Sequence, residues 1–470
     1  MILDALNAID GILYYPVLII ILTAAGLFFT FRTKFVQLRL LGEANRLVFE
    51  KPAGKKSVSP FQALMVSTAS RVGTGNIIGV STAICLGGPG ACFWMWLLCI
   101  IGGASAFIES TLAQVYKKKH HDGSSYGGPA YYIEKAFHSG VMAGIFCVFL
   151  LLTYAFGFNL LCSYNLQSAF EVYDFYNPKV TPIAIGAVIA ILCAFCLFGG
   201  GKRILKFTSL IVPVMGLFYV AISLVIILVH VKNIPSMFVE IFKDAFNFKA
   251  ILGGGFGSSC VVYGIKRGLY SNEAGVGSAP NASASADVSH PVKQGLVQTI
   301  SVYIDTLILC TATAFMCLSS GADISAKAAG AAYVQNAIST VFGHAGPVFI
   351  TVAMVLFAFT TLIGNLYYCG NALAFLNKRK MPGKKFMIFF HIICVLVIFA
   401  GALTPMDAAW ALADITMGLM TIINLPSCAI LSGVAVKALK DYEAQKKQGK
   451  DPVFKAKEIG INEDDVEFWK

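Results

Sequence analysis

Residues 61–86 read FQALMVSTASRVGTGNIIGVSTAICL, an apolar run that is interrupted near its centre by Gly73-Thr74-Gly75. The run is long enough to cross a bilayer, which takes about 20 mostly apolar residues. A break in mid-membrane frees backbone N–H and C=O groups, and these are costly if they face lipid. They must therefore face protein, an ion or a substrate. We expect the freed N–H groups to favour a carboxylate and the freed carbonyl groups to favour a cation.

Ten further apolar runs predict an all-α integral membrane protein with about eleven transmembrane helices. Of the 470 residues 57% are apolar and 13% are charged, about half the charged share of a soluble domain. This composition excludes a soluble enzyme, a disordered chain and a nucleic-acid-binding protein as descriptions of the whole chain. The ten runs are 12–31, 91–116, 141–166, 181–200, 207–230, 248–270, 295–318, 346–373, 386–404 and 408–436.

A second glycine-rich interruption, GGGFGSS at 253–259, lies within the run 248–270. If the first span is set aside, the other ten form two sets of five, and each set begins with an interrupted run. Because five is odd, the second set must enter the membrane in the opposite direction. Paired interruptions in two inverted halves indicate a transporter binding site, although close helix packing is an alternative reason for the glycines. The predicted units are an N-terminal helix and basic loop at 1–59, a transporter core at 60–436 with repeats at about 60–230 and 248–436, and a tail at 437–470.

The positive charges predict how the chain is oriented in the membrane. Lys and Arg outnumber Asp and Glu by 36 to 25, a net charge of +11. Loops rich in Lys and Arg mark the cytoplasmic side, and here these loops follow the first, third, fifth and ninth spans. We therefore predict an outside N-terminus and a cytoplasmic tail, and interpret the net charge as membrane topology rather than as a nucleic-acid site. The basic stretches are 32–56, 117–119, 202–206 and 378–385.

Four charged residues stand out within the predicted spans: Arg71, Glu109, Asp305 and Asp414. A charge inside the membrane is costly, so each is a candidate functional residue or half of a buried pair. One interpretation of Arg71 is a structural ion pair with Glu109 or Asp305. The other is a direct role in ion binding or in gating.

Three further residues are candidates for the site itself. Thr360 and Thr361 lie deep in the run 346–373, and hydroxyl oxygens beside backbone carbonyls suit Na⁺. The alternative is that each threonine hydrogen-bonds to its own helix. Trp410 is either an interfacial anchor or a lid over the site.

The segment 264–295 is polar and rich in Gly, Ala, Ser and Asn. We predict that it lies on the inner side of the membrane and belongs to a gate, because small residues allow close packing where parts must move; an ordinary loop is the alternative. The sequence contains no P-loop, metal-ligand cluster or nucleophile elbow, so we do not expect an enzyme.

The same segment closely resembles the signature of the alanine/glycine:cation symporter family, and Val72-Gly73-Thr74-Gly75-Asn76 resembles that family's first broken helix. The resemblance extends over about 61–436 and implies a leucine-transporter-like fold with 5+5 inverted repeats behind one extra N-terminal helix. It further implies Na⁺-coupled uptake of small amino acids at the plasma membrane. The motifs that carry it are Ser271-Asn272-Glu273-Ala274-Gly275, Ser278-Ala279-Pro280-Asn281, Ala286-Asp287 and His290-Pro291-Val292-Lys293-Gln294-Gly295.

The resemblance also implies roles for particular residues. The backbone carbonyls of Ala69 and Val72 and the hydroxyls of Thr360 and Thr361 correspond to the common Na⁺ site of the wider fold. The remaining candidates correspond to the substrate site. By this resemblance, the amides of Thr74 and Gly75 would form the carboxylate cradle, with Gly73 beside them as a further substrate-binding residue. Asn76 would help a second ion or the substrate, and Phe256 and Trp410 would form walls of the side-chain pocket.

Two positions depart from the family pattern. Cys162 occupies the position where a Gln is usual, and residues 367–370 read Tyr-Tyr-Cys-Gly where Tyr-Tyr-Gly-Glu or similar is usual. If that Gln helps to hold the substrate, its loss puts alanine/glycine specificity in question. A different neutral amino acid, such as glutamine or serine, is then the alternative substrate.

The hypothesis from the sequence is a monomeric secondary active transporter in the bilayer, without an organic cofactor. It would move a small neutral amino acid inward with Na⁺ by alternating access. The sequence leaves open whether Na⁺ or H⁺ is the coupling ion. An ion channel is a remote alternative, because a channel would need a ring of charges or carbonyls around a symmetric pore. A membrane-embedded enzyme would need a convergent cluster of catalytic side chains, which the sequence lacks.

Overall fold

The structure is a computed structural model that describes residues 2–52, 57–119, 124–247 and 259–469. These residues are mainly helical and include one short antiparallel ribbon that pairs β1 (Lys118–Lys119) with β2 (Ser125–Tyr126). The principal helices are α1 (Asp4–Arg32), α2 (Pro60–Arg71), α3 (Thr74–Gly87), α4 (Ala91–Val115), α5 (Gly140–Ser168), α6 (Thr181–Leu197), α7 (Gly201–Val229), α8 (Cys260–Asn272), α9 (Pro291–Ser319), α10 (Ala345–Leu376), α11 (Lys384–Gly401) and α12 (Met406–Lys447).

Eight helices of the described chain are long and apolar enough to cross a membrane, namely α1, α4, α5, α7, α9, α10, α11 and α12. Two shorter apolar helices, α3 and α6, accompany them. Shorter helices connect the bundle at Val36–Arg39, Leu41–Val48, Pro129–Phe137, Ile234–Ala245, Pro280–Ser283 and Ala331–Phe342. Segments of π-helix interrupt α1, α5 and α9 at Leu13–Leu18, Leu152–Gly157 and Ile304–Cys310.

Two helices extend well beyond the predicted apolar runs. The first helix begins well before residue 12, and α12 continues through Lys447, beyond the end of its predicted span at 436. The extension of α12 is polar, but Leu439 and Tyr442 on it are buried, and Tyr442 contacts Glu43 and His290. An amphipathic helix that leaves the membrane into protein contacts has no strong apolar signal in the sequence.

The first predicted break is present between α2 and α3. Ser59 caps α2 through its hydroxyl and the amide of Gln62, 3.1 Å apart. The helix ends at Arg71, because Val72 leaves the helical conformation and Gly73 is extended. Residues 74–76 then form a tight turn that starts α3. A break in the middle of an apolar run therefore separates two half-helices.

The second predicted break stays a prediction, because residues 253–258 of it, including Phe256, lie outside the described residues. The described chain contains a break after α8, where Glu273, Gly275 and Gly277 all have positive φ. It is called the second break below. In the segment 264–295, predicted as a polar stretch on the inner side, α8 forms the first part, in agreement with the predicted run 248–270, and Glu273 is completely buried. Several of its polar side chains bond to neighbouring helices.

Three basic stretches, 32–56, 117–119 and 378–385, meet at one end of the bundle, here called the basic end; Tyr126, which pairs with Lys118, donates to the Arg379 carbonyl. Arg39 pairs with Glu443 at 2.7 Å, and Lys118 pairs with Glu467 at 3.2 Å. Residues 451–469 fold back onto this end, where the Trp469 indole donates to the Gln114 carbonyl at 2.8 Å. The other end, where α12 begins at Met406, is called the opposite end.

Candidate functional site

Three oxygen atoms from two helices converge at the break between α2 and α3. The hydroxyl of Thr361 on α10 lies 3.1 Å from the carbonyl oxygen of Ala69 and 3.5 Å from that of Val72. A Cβ atom on Gly73 would overlap the Thr361 hydroxyl, so this close approach requires glycine. All of these groups are buried. Because hard cations take oxygen ligands, this corner is a candidate Na⁺ site.

The neighbouring Thr360 does not join this group. Its hydroxyl lies 3.0 and 3.1 Å from the carbonyl oxygens of Leu356 and Phe357, one turn back in its own helix, and contacts Met215 of α7. This is the local back-bond considered as the alternative for both threonines. The structure brings Thr361, but not Thr360, to Ala69 and Val72.

The turn that starts α3 forms the floor of the candidate substrate site. Asn165 of α5 donates to the Thr74 hydroxyl at 3.1 Å, and the Asn76 side chain accepts from the Gly73 N–H at 2.8 Å. Gly75 packs against the Tyr270 ring so closely that a Cβ would come within 2.9 Å of it. The turn is thus held from three sides at the N-terminus of a half-helix, where a carboxylate is favoured.

An aromatic cluster covers this turn. The Tyr270 ring lies 4.9 Å from Trp410 and 4.8 Å from Phe158, centroid to centroid. Trp410 therefore packs in this cluster, and its role as a wall of the substrate pocket stays a prediction. Tyr270 and Phe158 were not among the sequence candidates. Tyr270 ends the predicted run 248–270 and lies in the segment that was predicted to belong to a gate. Cys162, one turn beyond Phe158 on α5, is buried with its sulfur 3.6 Å from the Ala358 carbonyl.

Asn76 also connects the turn to the buried Asp305. The Asp305 carboxylate accepts hydrogen bonds from Asn76 at 2.7 Å, from Ser271 at 2.9 Å and from Thr306 at 2.9 Å. Asp305 lies in the π-helical segment of α9, and such segments are frequent at functional sites. The two breaks and α9 therefore share one polar network.

Glu273 is a functional candidate that sequence reasoning missed. Its carboxylate lies 3.2 Å from the Ser70 hydroxyl and 2.5 Å from the Ser278 hydroxyl. Ser70 in turn lies 2.7 Å from the side-chain oxygen of Asn365, one turn along α10 from Thr361. The available signal was an acidic residue in a segment rich in small residues.

Arg71 is completely buried, and none of its three guanidinium nitrogens has a hydrogen-bond partner among the described residues. The pairing with Glu109 or Asp305 that the sequence suggested is not formed as an ion pair. Glu109 instead accepts a hydrogen bond from Asn424 at 2.9 Å. Arg71 nevertheless lies within electrostatic range of Glu109, Glu273 and Asp305, so one cation faces three buried acids.

Ion pairs close the site towards the opposite end. Asp414 pairs with Lys266 at 3.1 Å and with Arg267 at 3.3 Å, and Lys266 also pairs with Asp10. The Arg267 guanidinium stacks 3.6 Å from the centre of the Trp410 ring. Asp414 therefore has a paired role in this closure.

Polar contacts close the site towards the basic end. Tyr367 donates to Ser285 at 3.2 Å, and Asn371 donates to the Asn281 carbonyl at 2.9 Å. The folded-back tail covers these elements, with the Phe454 N–H donating to the Ser289 carbonyl at 2.9 Å. These contacts separate the site from the basic end.

A broken helix that brings carbonyl groups and a hydroxyl together inside a bundle of apolar helices is typical of an ion-coupled membrane transporter. Two solved structures share this fold. One is MhsT in complex with L-phenylalanine, with a TM-score of 0.53, 15% identity, and coverage of 83% of this chain and 93% of that one. The other is a Na⁺-coupled sialic acid symporter, with a TM-score of 0.51, 14% identity, and 93% of both chains covered.

The chain belongs to the sodium:alanine symporter family, whose profile matches residues 1–456. It is 44% identical to the amino-acid carrier protein AlsT of Bacillus subtilis (strain 168), over 96% of this chain and 94% of that protein. It is 43% identical to the probable sodium/glutamine symporter GlnT of the same strain, over 98% and 94%. The resemblance found in the sequence is confirmed. The chain is a multi-pass membrane protein that couples amino-acid transport to Na⁺, and it is not an enzyme.

Proposed function

We propose that this protein carries a small neutral amino acid of the alanine/glycine type into the cell together with Na⁺, by alternating access. The observation that carries the proposal is the convergence of Thr361 with Ala69 and Val72, directly beside the half-helix that starts at Thr74. A cation held there would lie next to the place where a substrate carboxylate is favoured. Na⁺ and substrate would then stabilise each other, which is the physical basis of symport.

The proposed architecture has eleven membrane helices: one leading helix and two inverted sets of five. Eight long helices, the α2–α3 pair, α6 and α8 support this count. Each proposed repeat contains a break, at residues 72–73 and at residues 273–279. The basic end is proposed to be cytoplasmic, because Lys- and Arg-rich loops remain on that side. The N-terminus is then outside, and the protomer works as a monomer.

The pocket walls support a small substrate. Tyr270, Phe158 and Trp410 pack against one another directly over Gly75, which leaves little room beside the turn. Glutamine is the second candidate, because Cys162 is shorter than the usual Gln and a relative is named for sodium/glutamine symport. Serine is intermediate in size between alanine and glutamine.

Uptake into proteoliposomes tests this proposal. The protein is reconstituted and given labelled alanine, glycine, serine or glutamine under an inward Na⁺ gradient, and then under an equal K⁺ gradient. We expect accumulation of alanine or glycine above equilibrium with Na⁺ only. Accumulation of glutamine alone would favour the second candidate. Accumulation that ignores Na⁺, or none with any of the four, would contradict the proposal.

A further inference from the structure

An apolar groove of about 410 Å³ opens between α2, α7 and α9 and ends against the short helix Leu41–Val48. Its lining is apolar except for Asn45 and Thr68. No part of the transport site described above accounts for a groove on this side of α2.

The rim of the groove faces the surrounding lipid. Leu217 on α7 is 73% exposed, Ile308 on α9 is 48% exposed, and Phe49 is 79% exposed. The groove is therefore continuous with the lipid-facing surface of α7, where Val214 and Phe218 are also exposed. Apolar cavities stay free of water, and hydrocarbon is the medium that adjoins this one.

The depth of the groove comes from the sequence of α7. Pro213 lies inside that helix and removes one backbone hydrogen bond. Gly216, three residues later, also lines the groove, and a Cβ atom there would meet only open space. A side chain at Gly216 would occupy volume that is otherwise open to lipid.

The floor of the groove is the back of the candidate Na⁺ site. Val72 lines the groove, and its carbonyl oxygen faces Thr361. Thr68 lines it as well, and its hydroxyl lies 3.0 Å from that of Ser301 on α9. A group that fills the groove would therefore contact α2 on the side away from the ion.

We propose that this groove binds one acyl chain of a bilayer phospholipid, which packs behind α2 and supports it against α7 and α9. Because the acyl chain already lies in hydrocarbon, its affinity comes from van der Waals packing against a fixed apolar surface and not from transfer out of water. The binding site does not depend on the proposed substrate. Its effect on α2 rests on the proposed function.

The test uses photolabelling in nanodiscs of phosphatidylcholine and phosphatidylglycerol that contain a phospholipid with a diazirine in its acyl chain. Mass spectrometry of the labelled protein should place the adducts on residues 61–72 and 212–220. Gly216→Phe should reduce labelling of residues 61–72 at least fivefold, because the ring fills the groove. Gly370→Phe is the matched control, since a Cβ at Gly370 on α10 also meets open space but lies away from the groove.

Ile308→Trp is a second variant, which adds bulk at the exposed rim of the groove and not inside the core. It should also reduce labelling of residues 61–72, because the larger ring narrows the entrance to the groove. Elution volume and thermal unfolding identify any variant that fails to fold. Unchanged labelling of residues 61–72 in folded Gly216→Phe and Ile308→Trp would overturn the proposal. So would crosslinks to a second copy of this chain in place of lipid adducts. Loss of labelling together with normal Na⁺-driven uptake would keep the site but contradict its support of α2.

Discussion

The hydroxyl of Ser70 lies 3.2 Å from the carboxylate of Glu273, so a buried acid of the second break contacts the residue next to Ala69 in the first. The Ala69 carbonyl is one of the three oxygens at the candidate Na⁺ corner. The oxygens of that corner are uncharged, whereas Glu273 carries negative charge when ionised. This relationship connects the two breaks electrostatically and leads to the first prediction.

Glu273→Gln should weaken the dependence on Na⁺. Glutamine keeps the size of the side chain and can still bond to Ser70 and Ser278, but it removes the charge that attracts the cation. We expect the Na⁺ concentration for half-maximal uptake to rise on the order of tenfold, equivalent to ~1.4 kcal/mol. Glu109→Gln is the matched control, because Glu109 is equally buried but bonds to Asn424. Equal effects of the two substitutions would contradict the special position of Glu273.

Arg71→Met should destabilise the protein, because it leaves Glu109, Glu273 and Asp305 without the cation that faces them. Removing the partner of a buried charge costs about 3 kcal/mol or more. Thermal unfolding in detergent should show the loss. The double variant Arg71→Met with Glu273→Gln should recover part of it, with a coupling above about 0.5 kcal/mol. Strict additivity would mean that Arg71 does not act on Glu273.

Cys162→Gln should shift selectivity towards alanine and glycine and away from glutamine. The longer amide restores the group usual at this position in the family and occupies space beside the aromatic cluster. Competition by unlabelled amino acids against labelled alanine measures the shift. Cys162→Ser is the control, since it adds a polar group without the length. An unchanged order of competition in Cys162→Gln would remove Cys162 from the substrate pocket.

Docking of the C-terminal tail should depend on pH through Lys117. This side chain is completely buried beneath Phe468 and Trp469, at 3.9 and 4.8 Å from the ring centres, and donates to the Ala286 carbonyl at 3.1 Å. Burial lowers the pKa of Lys117 from 10.5 to about 7, while Asp287 opposes this shift. With the tail detached, the group would be exposed and keep its ordinary pKa.

Docking therefore releases a proton between about pH 7 and 10.5, and it should tighten as the pH rises through that range and level off below 7. Limited proteolysis of the tail at pH 6.5, 8 and 9.5 measures this. Lys117→Gln should abolish the slope. Lys118→Gln, which removes the pair with Glu467, should weaken docking but keep the slope. A slope that persists in Lys117→Gln would assign the titration to another group.

The break at Gly73 could be predicted from the sequence. Two glycines separated by a single residue in the middle of an apolar run favour the end of one helix and the start of the next. The burial of Glu273 could not, since a segment of small and polar residues has the same composition in a loop as in a packed core. Thr360 and Thr361 are adjacent, and only the packing of α10 against α7 decides which one faces the break. The fold-back of the tail likewise depends on contacts between distant residues, such as that of Trp469 with Gln114.

The most direct test of the Na⁺ site compares these two threonines. Uptake is measured against Na⁺ concentration for Thr361→Ala and Thr360→Ala in proteoliposomes that contain equal amounts of protein. We predict that Thr361→Ala raises the half-saturating Na⁺ concentration at least tenfold, whereas Thr360→Ala changes it less than twofold because its hydroxyl bonds to its own helix. An unchanged half-saturation in Thr361→Ala, or a larger change in Thr360→Ala, would contradict the account.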